Sequence, residues 1–429
     1  MDINKGKFFS KELSKEIRER FCYVDEDPIR GKRLFFENSG GSFRLKSVIE
    51  ANSEIEAFPD CPERVHDRSL LLKQIQLNGL SDLRIVFNAK DGAILQELTA
   101  SQAMFNMVGA IMLNTSGTNV ITTELEHPSA FDAVEYYAKR TGREVRVAKA
   151  NKATGGIDTE SVINLIDKDT CLVSVMYASN LSGAIQDLEA IVSEARKIKP
   201  DIYIITDAVQ HAPHGILDVE KVPVDGINFA PYKFFGNRGM GFAYVSDRVA
   251  RLPHHKLLKR PEKEWELGSP CPSNFKAITA VVDYVCWIGS NFTESTDRRT
   301  LYIEGMNRIK LHERALMDRM LNGSEKISGL RNIKGISVYL DTESLLERDL
   351  IVAAGIDSLD FTKAVAEYAK RGVIVFERIS SSPYSQRGLA AFGLDGLIRI
   401  SPLHCHNAQD IDEFLHITTD IARDFAEKA

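Results

Sequence analysis

Residues 202–241 constrain the fold more than any other part of this 429-residue chain. An apolar run ends in Asp207, and a second run at residues 226–230 is followed by Lys233 and a glycine-rich turn. Short runs of β-branched and aromatic residues that end in polar side chains are typical of buried parallel strands. The carboxyl ends of such strands border ligand sites in α/β proteins. We therefore expect Asp207 and Lys233 to face one ligand from two sides.

A lysine and an acid in this arrangement are the pair that pyridoxal 5'-phosphate (PLP) requires. The lysine forms a Schiff base with the aldehyde of this cofactor, and the acid faces its ring nitrogen. Taken alone, Asp207 could equally cap a helix and Lys233 could lie on the surface, because both residue types are common in such places. The surrounding residues decide between the two interpretations.

The segment resembles the signature of the class V aminotransferase family of PLP-dependent enzymes, which includes cysteine desulfurases, selenocysteine lyases and isopenicillin N epimerase. Asp207 and Gln210 match the Asp-x-x-Gln motif of the family, and a match to its Gly-x-x-Gly-x-Gly turn follows Lys233. The resemblance extends over residues 36–415. It implies an α/β structure of fold type I, with a large domain on a mostly parallel seven-stranded sheet and a smaller α+β domain.

Strand and helix patterns alternate through the first part of the chain. This alternation of strands and helices favours right-handed crossovers and a mostly parallel sheet. Residues 240–245 are predicted to form an edge strand of that sheet. The predicted strands are residues 94–98, 119–123, 145–148 and 171–176, and the predicted helices are 100–113, 129–140 and 188–198.

The pattern changes after residue 290, where a charged helix is followed by mixed strands and helices. Asp360 and Asn407 are predicted to cap the last two helices. We therefore predict three parts of the chain. They are a helical segment at residues 1–30 that packs with the small domain, a large PLP-binding domain at 31–290, and a small α+β domain at 291–429.

Composition excludes several classes of protein. The net charge of −6, with lysines and arginines interspersed among acids, argues against a nucleic-acid partner. No apolar run reaches the length of a membrane span, so we expect no membrane association. The six cysteines and ten histidines show no metal-binding spacing, which predicts no metal. Scattered cysteines also favour reduced thiols and a cytoplasmic location.

The phosphate of the cofactor is expected at residues 99–102, where a strand gives way to a helix. Free N–H groups and the helix dipole favour an anion there. The family has a Gly-Thr-Thr-like turn at this place, so the resemblance assigns Ala100, Ser101 and Gln102 to cofactor binding. Ala230 and Tyr232 stand where relatives often have serine and histidine. One phosphate hydroxyl is therefore missing, and Tyr232 is expected to replace the histidine with its own hydroxyl.

Three further residues are assigned to the cofactor ring by the resemblance. His127 matches a Glu-His motif, and its imidazole is expected to stack on the ring and to shuttle protons. Asn180 and Gln210 would bond the phenolic oxygen. Together with Lys233 and Asp207, His127 completes the predicted catalytic set.

The substrate is expected to be an amino acid with a free α-carboxylate. Arg399, on a short strand with β-branched neighbours, matches a family Arg-x-Ser strand and would clamp that carboxylate bidentately. Asn38 resembles a family position near the substrate, although an ordinary turn remains an equal alternative. Ser269 matches a residue that reaches the phosphate of the neighbouring subunit, which predicts a homodimer. An ordinary Gly-Ser-Pro turn is the alternative there.

One absence bears on the reaction. Relatives that carry a persulfide place a cysteine in a loop that corresponds to residues 377–388, and this loop has none. Phe376 also stands where relatives have an arginine, with Arg378 nearby. Because a serine hydroxyl cannot accept sulfur as a thiolate does, we predict a lyase without persulfide relay.

Several alternative functions remain: an epimerase or racemase, an aminotransferase, and a PLP-fold binding module without turnover. A nucleotide-binding protein is disfavoured, since no Walker or G-x-G-x-x-G motif is present.

Overall fold

A computed structural model describes residues 5–357 and 359–426. The helices are Lys11–Arg20, Lys46–Glu56, Asp67–Phe87, Ala100–Asn114, Pro128–Thr141, Thr159–Ile163, Leu188–Ile198, Asp247–Ala250, Pro272–Ser290, Arg298–Asn322, Phe361–Lys370, Gln386–Phe392 and Ala408–Ala426. Five of them were not predicted from the sequence: Lys46–Glu56, Asp67–Phe87, Thr159–Ile163, Asp247–Ala250 and Gln386–Phe392. None of the helices in the described part of the chain is both long and apolar enough to cross a membrane.

The main sheet has seven strands and is mostly parallel, as predicted. Four of its neighbouring strand pairs are parallel and two are antiparallel. In spatial order the strands are Ala93–Glu97, Gly241–Val245, Gly226–Phe229, Tyr203–Asp207, Thr170–Met176, Asn119–Thr123 and Glu144–Ala148.

The prediction of an edge strand at residues 240–245 was wrong. Gly241–Val245 lies inside the sheet and runs antiparallel to both of its neighbours. All five of its residues are buried, since it is covered on both faces. Ala93–Glu97 and Glu144–Ala148 form the two edges instead.

Burial explains why the central strands form where they do. Every residue of Thr170–Met176 and of Asn119–Thr123 is buried, and both segments are rich in β-branched side chains. Such strands pair in parallel because helices cover both faces of the sheet. The carboxyl ends of these parallel strands lie on the same side of the sheet. Asp207 is the last residue of its strand and therefore lies on that side.

A second sheet lies in the C-terminal part of the chain. Its four antiparallel strands, in spatial order, are Ile336–Tyr339, Val352–Ile356, Gly396–Ile400 and Phe376–Ile379. The helix Phe361–Lys370 is capped by Asp360, whose carboxylate accepts the backbone N–H groups of Thr362 and Lys363, as predicted. Asn407 likewise accepts two backbone N–H groups at the start of the last helix.

Short strands and side chains connect the N-terminal region to the C-terminal sheet. Further strands are Glu26–Asp27, Gly31–Lys32, Leu34–Phe35, Ala150–Asn151, Gly156–Ile157 and Val373–Ile374. Leu34–Phe35 pairs in parallel with Val373–Ile374, so this stretch packs with the C-terminal part although the predicted domain boundary puts it in the large domain. One helix, Lys11–Arg20, occupies the described part of residues 1–30, and its Arg18 forms an ion pair with Asp410. The domain boundaries themselves stay predictions.

Candidate active site

A cavity of about 370 Å³ lies at the carboxyl ends of the central strands. Its size falls in the range of small-molecule sites. Thr99, Ser129, Arg238 and Met240 are among its other lining residues. The predicted site residues that line it are Ala100, Ser101, His127, Asn180, Asp207, Gln210, Tyr232 and Lys233.

Lys233 ends a short 3₁₀ turn that follows the strand Gly226–Phe229. Its side chain is buried, with 9% of the residue exposed. Burial, reinforced by the positive charge of Arg399, lowers the pKa of Lys233 to about 7. An amine with such a pKa is largely neutral at physiological pH and can act as a nucleophile or a base.

Asp207 faces the cavity from the end of its own strand. Its carboxylate accepts the backbone N–H of Val209 at 2.9 Å. Burial raises the pKa of Asp207, and Lys233 opposes this effect. A buried carboxylate whose charge is disfavoured gains from a cationic partner, so a protonated ring nitrogen would hold Asp207 in its ionised form.

Glu126 is a buried neighbour of this group. Its Oε1 accepts the backbone N–H of Met176 and the hydroxyl of Thr123, whereas Oε2 has no hydrogen-bond partner. Burial raises the pKa of Glu126 to about 8, and Asp207 adds to the shift. Of these two acids, only Asp207 lines the cavity, and Glu126 lies behind it.

His127 caps the helix Pro128–Thr141. Ser129 donates its backbone N–H to Nδ1 of His127 at 3.2 Å, and the Ser129 hydroxyl lies 2.7 Å from the same nitrogen. Nδ1 is thus an acceptor, which places the proton of the neutral ring on Nε2. Burial, with the nearby charge of Lys233, lowers the pKa of His127 to about 3, so the imidazole is neutral.

The predicted anion site is a helix start with a glycine packed against it. Thr99 caps the helix Ala100–Asn114 by accepting the backbone N–H of Gln102 at 3.0 Å. A side chain at Gly241 would overlap the backbone of Thr99 and Ala100, so glycine is required for this close approach. Ala100 and Ser101 line the cavity, whereas Gln102 is exposed and does not. The assignment of Gln102 to the cofactor stays a prediction without a lining contact.

Arg399 is buried behind Asn180, with 2% of the residue exposed. Its Nη1 donates to the backbone carbonyl of Asn180 at 3.2 Å, and its Nη2 forms an ion pair with Glu37. The register of the C-terminal sheet pairs Arg399 with Phe376 and therefore places Arg378 diagonally beside Arg399 on the same face. Burial and the charge of Arg399 lower the pKa of Arg378 to about 9. Neither arginine lines the cavity itself; Arg399 is linked to it through the carbonyl of Asn180, a lining residue.

Asn38 and Ser269 are not brought to this cavity. The amide of Asn38 donates to the backbone carbonyls of Phe35 and Ser401, and its oxygen accepts the N–H of Phe43. These bonds brace the loop and leave Asn38 no free donor for a substrate. Ser269 is exposed and donates to Glu63. Its predicted role across a dimer stays a prediction.

Arg387 and Tyr384 hold the loop at residues 377–388 against Glu126 and His127. Arg378 donates to the backbone carbonyl of Tyr384 at 2.6 Å. Arg387 donates to the backbone carbonyl of Glu126 at 2.7 Å. The ring of Tyr384 stacks on His127, with 5.9 Å between the ring centres. The loop is therefore packed against His127, a residue that lines the cavity.

None of the six cysteines lines the cavity. Cys405, which follows Arg399 most closely, is 2% exposed, and burial raises the pKa of its thiol. A neutral, enclosed thiol is a poor nucleophile. Within residues 5–357 and 359–426 there is no cluster of histidine, cysteine and acidic side chains that could hold a metal.

The arrangement fits PLP on its own chemistry. A buried lysine with a lowered pKa and a buried acid line one cavity of suitable size, and a helix N-terminus lies at its wall.

The structure also adds residues that were not predicted for the site from the sequence. Glu37 lies next to Asn38, and Asn228 donates to the carbonyl of Ala100 from inside a strand. Arg238 lines the cavity as well. The sequence indicates it only by its position between the glycines of the turn that follows Lys233.

Comparison with known proteins gives a family and a fold. A family model described as Aminotransferase class-V matches residues 34–414. A probable cysteine desulfurase of Borreliella burgdorferi is 25% identical over 385 residues, which cover 81% of this chain and 86% of that protein. The cysteine desulfurase IscS of Dictyoglomus turgidum is 26% identical over 55% of this chain. The chain spans little more than half of some relatives, 58% of the Dictyoglomus protein and 55% of a probable cysteine desulfurase of Mycoplasma genitalium.

Solved structures agree on the architecture. The cysteine desulfurase of Thermococcus onnurineus NA1 superposes with a TM-score of 0.80 at 19% identity and covers 98% of this chain and 100% of its own. The cysteine desulfurase CsdA of Escherichia coli gives a TM-score of 0.78 at 16% identity, with 97% and 99% covered. At such identities the likeness supports the fold alone.

Proposed function

Because this chain belongs to the class V aminotransferase family, whose members use PLP, we propose that it is a PLP-dependent lyase. Its substrate would be an amino acid with a free α-carboxylate, cleaved by β-elimination of a C–S or related bond. We further propose that it works without passing sulfur through a cysteine of its own.

The docked loop at residues 377–388 carries this proposal. It contains no cysteine, Arg378 braces it internally through the carbonyl of Tyr384, and Arg387 attaches it to the carbonyl of Glu126. A persulfide relay needs a reactive thiolate that reaches both the substrate and an acceptor. The buried thiol of Cys405, with its raised pKa, is unsuited to either task.

The roles of the other residues follow from their charge states. When bound at Lys233, the cofactor supplies an electron sink for a carbanion at the α-carbon. Lys233 would hold the cofactor and then accept the α-proton, for which an amine of pKa about 7 is suited. Asp207 would keep the ring nitrogen protonated, while Arg399 would orient the substrate through its carboxylate.

The neutral imidazole of His127 would pack on the cofactor ring and, through Nε2–H, serve as a donor. Its lowered pKa supports a role that does not require a charged ring. We also propose a homodimer in which Ser269 completes the site of the neighbouring subunit. The six cysteines are all unpaired, which supports our proposal of a reducing, cytoplasmic location.

Product analysis tests the reaction. Incubation of the holoenzyme with L-cysteine and other amino acids that carry a β-leaving group should release the leaving group together with pyruvate and ammonia. The leaving group departs with the bonding electrons, so no oxidant is needed. Loss of optical purity without these products would indicate an epimerase, and dependence on a keto acid would indicate an aminotransferase.

The same assay tests the absence of a relay. Cys405→Ser should retain sulfide release from L-cysteine, with Cys22→Ser as the matched control outside the site. An inactive Cys405→Ser variant that still binds PLP would overturn the proposal and restore a persulfide mechanism.

A further inference from the structure

Few cationic side chains line the cavity. In the part of the chain that the structure describes, the lining includes two, Lys233 and Arg238. Lys233 is committed to the aldehyde of the cofactor, and His127 is neutral because its pKa is lowered to about 3. Among the lining residues that the structure describes, Arg238 is therefore the one permanent positive charge.

Arg238 lines the same cavity as the helix start that is expected to hold an anion. Three residues further along the chain, Gly241 packs directly against Thr99 and Ala100 at the start of the helix Ala100–Asn114. The turn that carries Arg238 is thereby held beside the free N–H groups of that helix, and Arg238, Ser101 and Thr99 line the same cavity. The positive end of the helix dipole and the guanidinium charge therefore border one cavity.

No acid competes for this guanidinium. Arg238 has no carboxylate within ion-pair distance among the described residues, and its hydrogen bond to the carbonyl of Gly40 is long, at 3.5 Å. Its guanidinium stacks on the ring of Tyr232, 4.2 Å from the ring centre. Tyr232 thus orients Arg238 without neutralising it.

We propose that Arg238, oriented by Tyr232, binds the phosphate group of PLP. Ala230 has no hydroxyl, and the ring of Tyr232 lies against Arg238, so neither side chain supplies a positive charge for a phosphate. A phosphate dianion needs a compensating charge, and the guanidinium of Arg238 supplies one together with N–H donors.

Comparison of PLP with pyridoxal, which has the same ring and aldehyde but no phosphate, tests the proposal. Apoenzyme is titrated with each compound, and binding is followed by the absorbance of the lysine-bound form. Arg238→Gln should weaken PLP binding by about tenfold, since a charge-assisted bond is lost at a partly exposed position. The same variant should bind pyridoxal as the wild type does. Arg238→Lys should recover most of the affinity for PLP, because it keeps the charge.

Arg140→Gln serves as the control, because Arg140 is exposed near the far end of the helix that begins after His127. Equal losses for PLP and pyridoxal in Arg238→Gln, no loss for either, or an Arg238→Lys variant as weak as Arg238→Gln would each overturn the proposal. Failure of the wild type to bind either compound at Lys233 would instead refute the assignment of Lys233. The two failures are therefore distinguishable.

Discussion

Replacing Arg399 should reveal how the site recognises a carboxylate. Charge-assisted hydrogen bonds contribute about 1.5–3 kcal/mol each, so a bidentate contact would contribute about 3–6 kcal/mol. Arg399 is already paired with Glu37, however, and a substrate must displace or share that partner. The net loss in Arg399→Ala should therefore be about 2–3 kcal/mol, which is roughly 30- to 150-fold in kcat/KM.

The pairing with Glu37 makes a sharper design possible. In Arg399→Ala, the Glu37 carboxylate keeps its charge, loses its partner and repels the incoming substrate. The double variant Glu37→Gln/Arg399→Ala should therefore recover part of the lost activity, about three- to tenfold. Glu37→Gln alone should lower KM, because it frees the guanidinium.

Steady-state kinetics with the best amino acid substrate, and the absorption spectrum of the resting enzyme, give the readout. The spectrum should still show the lysine-bound cofactor in all three variants, because none of them replaces Lys233. Arg399→Lys should recover little, since an ammonium group cannot reproduce the planar fork. A change in kcat/KM below threefold in Arg399→Ala, or full activity in Arg399→Lys, would refute the carboxylate assignment.

Two further predictions concern the cofactor end. Asp207→Asn should still bind PLP at Lys233 but lose most of its turnover, because an uncharged amide no longer holds the ring nitrogen protonated; near-normal turnover would contradict this role. The rate at which apoenzyme takes up PLP should follow the neutral fraction of Lys233, whose pKa is lowered from 10.5 to about 7. Uptake should fall about tenfold per pH unit below 7 and level off above it. A rate that still climbs between pH 8 and 10 would show an ordinary lysine, and Lys233→Ala should give no covalent uptake.

Much of the fold followed from local pattern. The strand at residues 119–123 agrees with its predicted bounds because β-branched residues are continuous there and polar residues flank them. Gly241–Val245 was located correctly but placed wrongly, since periodicity does not encode the direction or the neighbours of a strand. The helix Asp67–Phe87 escaped prediction. It packs against other helices along its length, so its apolar residues do not form one clear stripe.

The site was predictable where a motif joins chemistry to a strand end, as for Asp207 and Lys233. Glu37 was not predictable, because its importance comes from Arg399, which lies 362 positions away in the chain. The same holds for Arg378, which only the sheet register brings beside Arg399. Asn38 is a different case. Its position in the motif suggested a substrate contact, and its side-chain amide donates to two backbone carbonyls, so that role stays a prediction.

Charge couples the substrate end of the site to the catalytic amine. Burial is the main cause of the lowered pKa of Lys233, and the positive charges of Arg399 and Arg378 add to it, whereas Asp207 and Glu37 oppose it. Removing the charge of Arg399 should therefore raise the pKa of Lys233, and removing that of Glu37 should lower it further. The midpoint of the PLP-uptake curve should accordingly move to higher pH in Arg399→Ala and to lower pH in Glu37→Gln. Opposite shifts in these two variants would be difficult to explain by a change in folding, which would move both midpoints toward that of an exposed lysine.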